Sequence, residues 1–207
     1  LIGGVACEPG QAECCFEDLP SGDKLVELWL PQGSPCNLKS LLLDDGAKAE
    51  IVPDERPKWT TYGSSISHCG EAHSPARTWP AIAARARNLN LTCLGYGGCC
   101  HLEPMIALMI RDIPADFISL KVGINIQGGG TLSSHTFQTS LIGMVRIIRE
   151  KQPGTPIAIV SPIISPPRET EPNHVGVSLQ DMRELLQDCV ERLKDCVDEN
   201  VRYFSGL

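Results

Sequence analysis

The alternation of hydrophobic and polar positions divides the chain into two parts that meet near residue 58. Before that point, Val26, Leu28 and Leu30 occupy every second position, which is typical of a strand. Runs of this kind predict three short strands, at 25–30, 38–43 and 47–52. Because three short strands cannot form an independent core, we expect residues 1–57 to be a partial β-domain that packs against the rest of the chain.

After residue 58, strand-like runs alternate with longer amphipathic runs. The pattern predicts strands at 58–63, 91–95, 117–122, 157–161 and 201–204, and helices at 78–89, from 104, at 135–151 and at 178–197. Strands that alternate with helices of this size pair in parallel through right-handed crossovers. We therefore expect residues 58–207 to form a three-layer α/β/α domain. Its flavodoxin-like sheet would have five parallel strands in the order 2-1-3-4-5, with the short N-terminal β-appendage outside it.

The residues that could take part in a reaction follow the first three strands of this domain. Ser64 and Ser65 follow the first strand, Gly97 and Gly98 the second, and Asn125 the third. Open α/β sheets bind ligands at the carboxyl ends of their strands. A serine on a tight turn can act as a nucleophile there, and glycine N–H groups and an amide can bind an oxyanion. The alternatives without catalysis are a serine that caps a helix and an asparagine in a turn.

Composition narrows the classes of partner. The formal net charge of −7 argues against nucleic acid and anionic membrane surfaces. No run approaches the ~20 apolar residues that a membrane span needs, and no signal-like segment opens the sequence. We therefore expect a cytoplasmic protein that binds neither nucleic acid nor membrane. The sequence does not indicate an oligomeric state.

The ten cysteines are an unusually high number for a chain of 207 residues. None belongs to a Cys-x-x-Cys pair and no histidine follows at zinc-finger spacing, so we predict no metal site and no cofactor. Cys189 and Cys196 fall on one predicted helix, about 10 Å apart along its axis, which is too far for a disulfide. We expect free thiols in a reducing compartment. A disulfide stays open among Cys7, Cys14, Cys15 and Cys36.

Four short blocks resemble the SGNH (GDSL-type) hydrolases, in particular the group with an N-terminal β-domain. The blocks start at Tyr62 (YGSSIS), Leu94 (LGYGG), Lys121 (KVGIN) and Ser161 (SPI), and the resemblance covers about residues 24–207. No single block is specific, so the resemblance rests on their order and spacing.

The resemblance implies that Ser65 is the catalytic nucleophile. It also implies an oxyanion hole formed by the backbone N–H of Ser65, the N–H of Gly98 and the side-chain amide of Asn125, with Gly97 as the neighbouring alternative to Gly98. Ser64 stands where many members of the family have aspartate, and we expect it to contact the substrate.

The sequence departs from the family at the catalytic base. The family's Asp and His belong to an Asp-x-x-His block after the fifth strand, and no Asp-x-x-His occurs in this sequence. Either the sequence is part of a longer hydrolase, or it has lost its base. We expect His101 to contact the substrate rather than act as a base, and His68 to lack the reach for that role. Cys99 and Cys100 are expected to be small buried residues, because nothing basic is placed to activate their thiols.

These observations predict a serine ester hydrolase or acyltransferase that acts on a small acyl ester. Two other functions stay open: a binding protein that keeps the pocket without catalysis, and an enzyme that uses the oxyanion pocket for different chemistry, such as enolate stabilisation. The acyl side is expected to be shaped by two loops. One is 124–134, which Gly128–Gly130 would make mobile, and the other is 162–176, which carries Arg168.

Overall fold

The computed structural model describes residues 10, 13–196 and 198–207, and its centre is a five-stranded sheet. The strands are β1 (Lys58–Gly63), β2 (Asn90–Gly95), β3 (Phe117–Lys121), β4 (Ile157–Val160) and β5 (Val201–Phe204). The helices are α1 (Ser65–His68), α2 (Trp79–Ala86), α3 (Pro104–Asp112), α4 (Ile124–Gly129), α5 (Ser134–Arg149) and α6 (Leu179–Asp195). All paired strands are parallel and their order is β2-β1-β3-β4-β5. The predicted α/β fold and strand order are confirmed.

Helices cover the sheet in two unequal layers. The chain moves one way from β1 to β2 and the other way through β3, β4 and β5, so right-handed crossovers place α2 on one face and α3, α5 and α6 on the other. The main core lies under the three-helix layer. Its fully buried side chains include Tyr62, Ile110, Leu120, Phe137, Leu141, Ile159 and Leu186.

The strand register brings the candidate site residues to one edge of the sheet. Gly63, the last residue of β1, pairs with Gly95 of β2 and with Lys121 of β3. The loops that follow these three strands therefore start side by side. Ser65, Gly98 and Asn125 belong to those loops or to the helices that they open.

The segment expected to be a loop at 124–134 is partly helical. It starts with α4, in which Ile124 and Ile126 are buried. Gly123 and Gly130 flank the helix with φ angles of 108° and 53°, which favour glycine. The buried isoleucines turn toward the core, and the three glycines form the end of the helix and its cap. The mobility expected for this segment stays a prediction.

The three strands predicted at 25–30, 38–43 and 47–52 are not present in the described part of the N-terminal segment, and that prediction was wrong. A strand needs a neighbour for its N–H and C=O groups, and the one backbone bond within residues 13–57 is a local turn from Ala47 to Asp44. The alternating apolar residues are exposed accordingly, with Leu25 at 74% and Val26 at 64%. The boundary between residues 57 and 58 stays a prediction.

The cysteines follow the expectation in part. Cys189 and Cys196 are free thiols. Cys14 is disulfide-bonded, whereas Cys15 and Cys36 are free. The expectation for Cys7 lies outside the described residues. Across the described ranges, no helix is long and apolar enough to cross a membrane.

Replacing Gly95 by alanine tests how closely α1 packs against the sheet. A Cβ at Gly95 would lie 2.3 Å from the backbone nitrogen of His68 and 2.6 Å from its Cα, so a side chain there would collide with α1. We expect Gly95→Ala to lower the free energy of unfolding by about 2–4 kcal/mol. Gly143→Ala is the matched control. A Cβ at that position in α5 meets nothing within 4 Å, so we expect a gain of about 0.5–1 kcal/mol. Urea denaturation of both variants measures this, and a neutral Gly95→Ala would contradict the close approach.

Candidate active site

The two serines after β1 have different roles. Ser64 is the N-cap of α1, is 1% exposed and accepts a hydrogen bond from the backbone N–H of Ile66 at 3.3 Å. Ser65 is the first residue of the helix and is exposed. Because Ser64 caps the helix, the hydroxyl of Ser65 is not needed as a cap. The burial of Ser64 does not favour the substrate contact expected for it.

Close packing brings Ser65 against the loop after β2. A Cβ at Gly63 would lie 2.3 Å from the Oγ of Ser67, so α1 can start directly at the end of β1 only because residue 63 is glycine. A Cβ at Gly97 would lie 3.8 Å from the Cβ of Ser65 and 3.3 Å from the Nδ1 of His68. Gly97 therefore lies beside the serine, as the order of the blocks had suggested for this glycine pair.

The loop that follows β2 holds an unusual backbone conformation. Gly98, Cys100 and Leu102 have φ angles of 74°, 74° and 64°. For residues other than glycine this conformation is strained, by on the order of 1–3 kcal/mol each, and such strain clusters at functional sites. The structure thus builds an irregular loop where an oxyanion hole was expected.

Tyr62 and Glu103 stabilise this loop through hydrogen bonds with its backbone N–H groups. The Tyr62 hydroxyl accepts from the N–H of Leu102 at 3.2 Å and donates to the Glu103 carboxylate, which also accepts from the N–H of His101 at 2.8 Å. Burial, the nearby Cys100 and the bond to Glu103 raise the pKa of Tyr62 above its usual range. Burial tends to raise the pKa of Glu103, but the bonds from Tyr62 and His101 outweigh it and the pKa falls below its usual value. The hydroxyl therefore stays protonated and the carboxylate ionised, as this pair of bonds requires.

Asn125 ties the third strand's loop to the second. It lies in the first turn of α4, and its side-chain amide donates to the carbonyl oxygen of Cys99. The amide has two N–H groups, so one remains for a ligand. Asn125 thus meets the loop that carries Gly98, and Gly97 in that loop meets Ser65.

His101 is held by both ring nitrogens. Its Nδ1 lies 2.8 Å from the hydroxyl of Thr131 and its Nε2 lies 3.3 Å from the carbonyl oxygen of Gly98. A carbonyl only accepts, so Nε2 carries the proton and Nδ1 accepts from Thr131. A ring with both nitrogens engaged is poorly placed to take a proton from Ser65, in line with the expectation that His101 is not the base.

Comparison with known proteins shows the family of this chain. The sequence model of the GDSL-like lipase/acylhydrolase family matches residues 58–206, which is most of the chain. The chain belongs to the GDSL-like lipase/acylhydrolase family. A comparison with curated protein sequences finds no match.

Solved structures extend this GDSL-like assignment. The salicylyl-acyltransferase SsfX3 from a tetracycline biosynthetic pathway is 41% identical over 79% of this chain and 46% of its own, with a TM-score of 0.73. A family two carbohydrate esterase from Clostridium thermocellum is 16% identical over 76% and 55%, with a TM-score of 0.60. A family 2 carbohydrate esterase from Corynascus thermopiles (Myceliophthora fergusii), carrying a carbohydrate binding domain, is 15% identical over 78% and 60%, also at 0.60. The two esterases share the fold with this chain. The chain spans about half the length of these structures.

The Cys100 thiol near the site of this GDSL-like protein is not activated. Cys100 is 1% exposed, and its burial raises the pKa of its thiol to about 12. A thiol with so high a pKa is a poor nucleophile at neutral pH. Cys100 is therefore a small buried residue, as expected, whereas Cys99 is exposed.

Gln32 joins the N-terminal segment to the site, and sequence analysis did not single it out. Its side-chain amide donates to the carbonyl oxygens of Cys69 and Ala72 at 3.2 and 3.1 Å. The backbone carbonyl oxygen of Gln32 accepts a hydrogen bond from the Nε2 of His68. In the neutral ring of His68, the Nδ1 on the side of Gly97 is therefore unprotonated. The proline and glycine residues around Gln32 indicate a turn in the sequence, but a turn does not tell which surface it meets.

The loop between β4 and α6 is fixed by a further ion pair. The Arg183 guanidinium donates to both carboxylate oxygens of Glu169, at 2.6 and 3.0 Å, and the N–H of Ser165 donates to the same carboxylate at 2.7 Å. The bonds from Arg183 lower the pKa of Glu169 to about 2. This pair anchors the segment that was expected to shape the acyl side.

Two surface cavities lie away from Ser65. One of about 500 Å³ is bordered by α6 and β5, and one of about 370 Å³ by α5, α6 and Gly176. Neither includes a residue of the loops after β1, β2 or β3. Ser65 itself is exposed.

The contacts of Gln32 predict a stabilising role. Gln32→Ala would remove two donors from half-buried carbonyls, so we expect the free energy of unfolding to fall by about 1–2 kcal/mol. Gln187→Ala is the control, because Gln187 is exposed and makes a single 3.4 Å bond to Glu191; we expect a change within about 0.5 kcal/mol. Chemical denaturation of both variants measures the difference. Equal effects would contradict a specific attachment by Gln32.

The Glu169–Arg183 pair predicts a dependence of stability on pH. The pKa of Glu169 is lower in the folded protein, about 2, than its ordinary 4.5, so the unfolded chain binds more protons. The pair's contribution is complete above the ordinary value and is lost as pH falls toward 2. We expect Glu169→Gln to lower Tm at neutral pH and the gap from wild type to close between pH 4.5 and 2. Glu184→Gln, at an exposed position of α6, is the control and should track wild type. A gap that stays constant with pH would contradict the assignment.

Proposed function

We propose that this protein is a serine ester hydrolase or acyltransferase that acts on small acyl esters through Ser65. The observation that carries the proposal is the difference between the two serines after β1. Ser64 caps the helix, and Ser65 stays exposed beside Gly97. A hydroxyl free of structural bonds at the carboxyl edge of a parallel sheet is suited to nucleophilic attack. Membership of the GDSL-like family supports the same class of reaction.

The proposed reaction is acyl transfer in two steps. The Ser65 Oγ attacks the ester carbonyl carbon, the bond from that carbon to the alcohol oxygen breaks, and the alcohol leaves with a proton. Water or an acceptor hydroxyl then attacks the acyl-serine, which restores the Ser65 hydroxyl. The proton that leaves Ser65 needs a base, an imidazole in the resembled family. Neither His68 nor His101 is assigned to that role. The second ring nitrogen of His101 accepts from Thr131, and no hydrogen bond joins His68 to Ser65 in the described part of the chain.

The negative charge on the carbonyl oxygen needs donors that are already in position. The N–H groups of Ser65 and Gly98 and the free amide hydrogen of Asn125 are the proposed donors. Asn125 is oriented by its bond to Cys99, and Gly98 by a loop that Tyr62 holds. Such donors contribute about 10²–10³ in rate each, because they need no reorganisation when the charge develops.

Hydrolysis and acyl transfer differ only in the acceptor. The 41% identity with a salicylyl-acyltransferase supports transfer to a second hydroxyl as the alternative to hydrolysis. The exposure of Ser65 is compatible with both acceptors. Product analysis with and without added alcohols separates them, since transfer gives a new ester and hydrolysis gives the free acid.

Matched serine variants test the nucleophile. We expect a fluorophosphonate to label the protein on the peptide that contains Ser65, and Ser65→Ala to abolish both the labelling and the release of nitrophenol from nitrophenyl acetate. Ser64→Ala is the control. It loses a helix cap worth about 1 kcal/mol but should keep the labelling. Because no Asp-x-x-His occurs in residues 1–207, a polypeptide of these residues alone should react slowly.

The same experiment separates the other functions. A binding protein without catalysis would show no labelling that depends on Ser65, and an enzyme with enolate chemistry would keep its activity in Ser65→Ala. Either result would contradict the proposal. Asn125→Ala should lower kcat by about 10²–10³ with little change in KM, and an unchanged kcat would remove Asn125 from the oxyanion hole.

A further inference from the structure

Three basic or imidazole side chains gather over the glycines at the end of α4. A Cβ at Gly128 would lie 2.9 Å from the Nη1 of Arg168, and one at Gly130 would lie 2.1 Å from the Cε1 of His174. A Cβ at Gly129 would lie 4.0 Å from the Cε1 of His101. Arg168 and His174 therefore rest on bare backbone, and a side chain at 128 would displace the first and one at 130 the second.

The guanidinium of Arg168 has no carboxylate partner among the described residues. Its Nε donates to the hydroxyl of Ser165 at 3.1 Å, and its Nη1 to the carbonyl oxygen of Ile124 at 3.5 Å. The adjacent Glu169 interacts with Arg168 only through space, because Arg183 binds both oxygens of that carboxylate. The Nη2 of Arg168 therefore has no bound partner among the described residues and can donate to an anion.

The place of this charge relative to the nucleophile follows from the contacts already described. Ile124, whose carbonyl meets Arg168, precedes Asn125, and the Asn125 amide donates to Cys99 in the loop beside Ser65. Asn125 and Gly128 are three residues apart in α4 and therefore lie on the same side of the helix, so the Arg168 guanidinium at Gly128 lies about one helical turn from Asn125. An acyl chain that extends from Asn125 along this side of α4 reaches Arg168. A carboxylate on that chain can accept two parallel hydrogen bonds from the guanidinium.

We propose that Arg168, next to Gly128 and one helical turn along α4 from Asn125, forms an anion subsite that selects esters whose acyl part carries a carboxylate. His101 supplies the wall of the subsite between Gly98 and Thr131. The subsite rests on the proposed function, since it assumes that the acyl carbonyl binds at Asn125. The guanidinium adds selectivity for the acyl group, and the serine and its oxyanion donors perform the transfer.

The first test compares two esters with the same leaving group. They are the nitrophenyl monoester of glutaric acid, which carries a carboxylate, and nitrophenyl valerate, which does not. We expect Arg168→Gln to lower kcat/KM for the glutarate ester by about 10–100-fold, the usual effect of losing a hydrogen bond between charged groups. The valerate ester should change by less than about twofold. Arg146→Gln is the control, because Arg146 is exposed on α5, and it should change neither ester.

A second variant keeps the guanidinium charge of Arg168 but displaces it from its position. Gly128→Ala places a methyl group where the Arg168 guanidinium lies, and residue 128 has no φ angle that requires glycine. We expect this variant to fold normally and to lose most of the preference for the glutarate ester. Retention of the full preference in both Arg168→Gln and Gly128→Ala would overturn the proposal.

Direct binding separates failure of the subsite from failure of the proposed function. Monomethyl glutarate should bind Ser65→Ala in a calorimetric titration, and binding should weaken by about 10–100-fold when Arg168→Gln is added. If this holds and no ester is turned over, the subsite stands and the proposed reaction is wrong. If Ser65-dependent turnover shows no preference for the glutarate ester, the subsite is wrong and the reaction stands. A preference for the acetyl ester of 4-hydroxybenzoate, with its carboxylate on the alcohol side, would also overturn the assignment to the acyl group.

Discussion

The close approach of α1 to the ends of two strands is the constraint on which the rest of the site depends. The helix starts within two residues of β1 and lies against the last residue of β2, and there is no room for a Cβ at Gly63 or Gly95. Because α1 cannot move outward without losing these contacts, Ser65 at its start has one position relative to the sheet. Ser64, buried under the helix as its cap, stabilises the same arrangement.

The donors proposed to face Ser65 are held from two other strands. The loop after β2 keeps left-handed conformations at Cys100 and Leu102 because Tyr62 and Glu103, both beneath it, satisfy its backbone N–H groups. Asn125 reaches the same loop from the third strand. A conformation that is unfavourable locally is thus maintained by buried hydrogen bonds, the arrangement expected where donors must be in place before charge develops.

Charge is distributed so that the catalytic and the selective parts of the proposed site stay separate. Glu169 and Arg183 bind each other and anchor the loop after β4, which leaves the neighbouring Arg168 over Gly128 without a hydrogen-bonded carboxylate. The proposed serine and oxyanion donors belong to the first three strands of the fold. The residues over α4 belong to loops, where different acyl groups can be accommodated without disturbing the sheet.

The sequence by itself determined the five strands, their order and the serine after β1, because hydrophobic periodicity and the crossover rule act locally and along the chain. It could not separate the roles of Ser64 and Ser65, which depend on which hydroxyl is buried under α1. It predicted strands before residue 58 from alternation alone, but a strand forms only where a neighbour accepts its backbone bonds. The contacts of Gln32 with α1 and of Arg168 with α4 join residues that lie more than 30 positions apart. Only the tertiary structure decided them, since a sequence pattern carries no record of which distant surfaces meet.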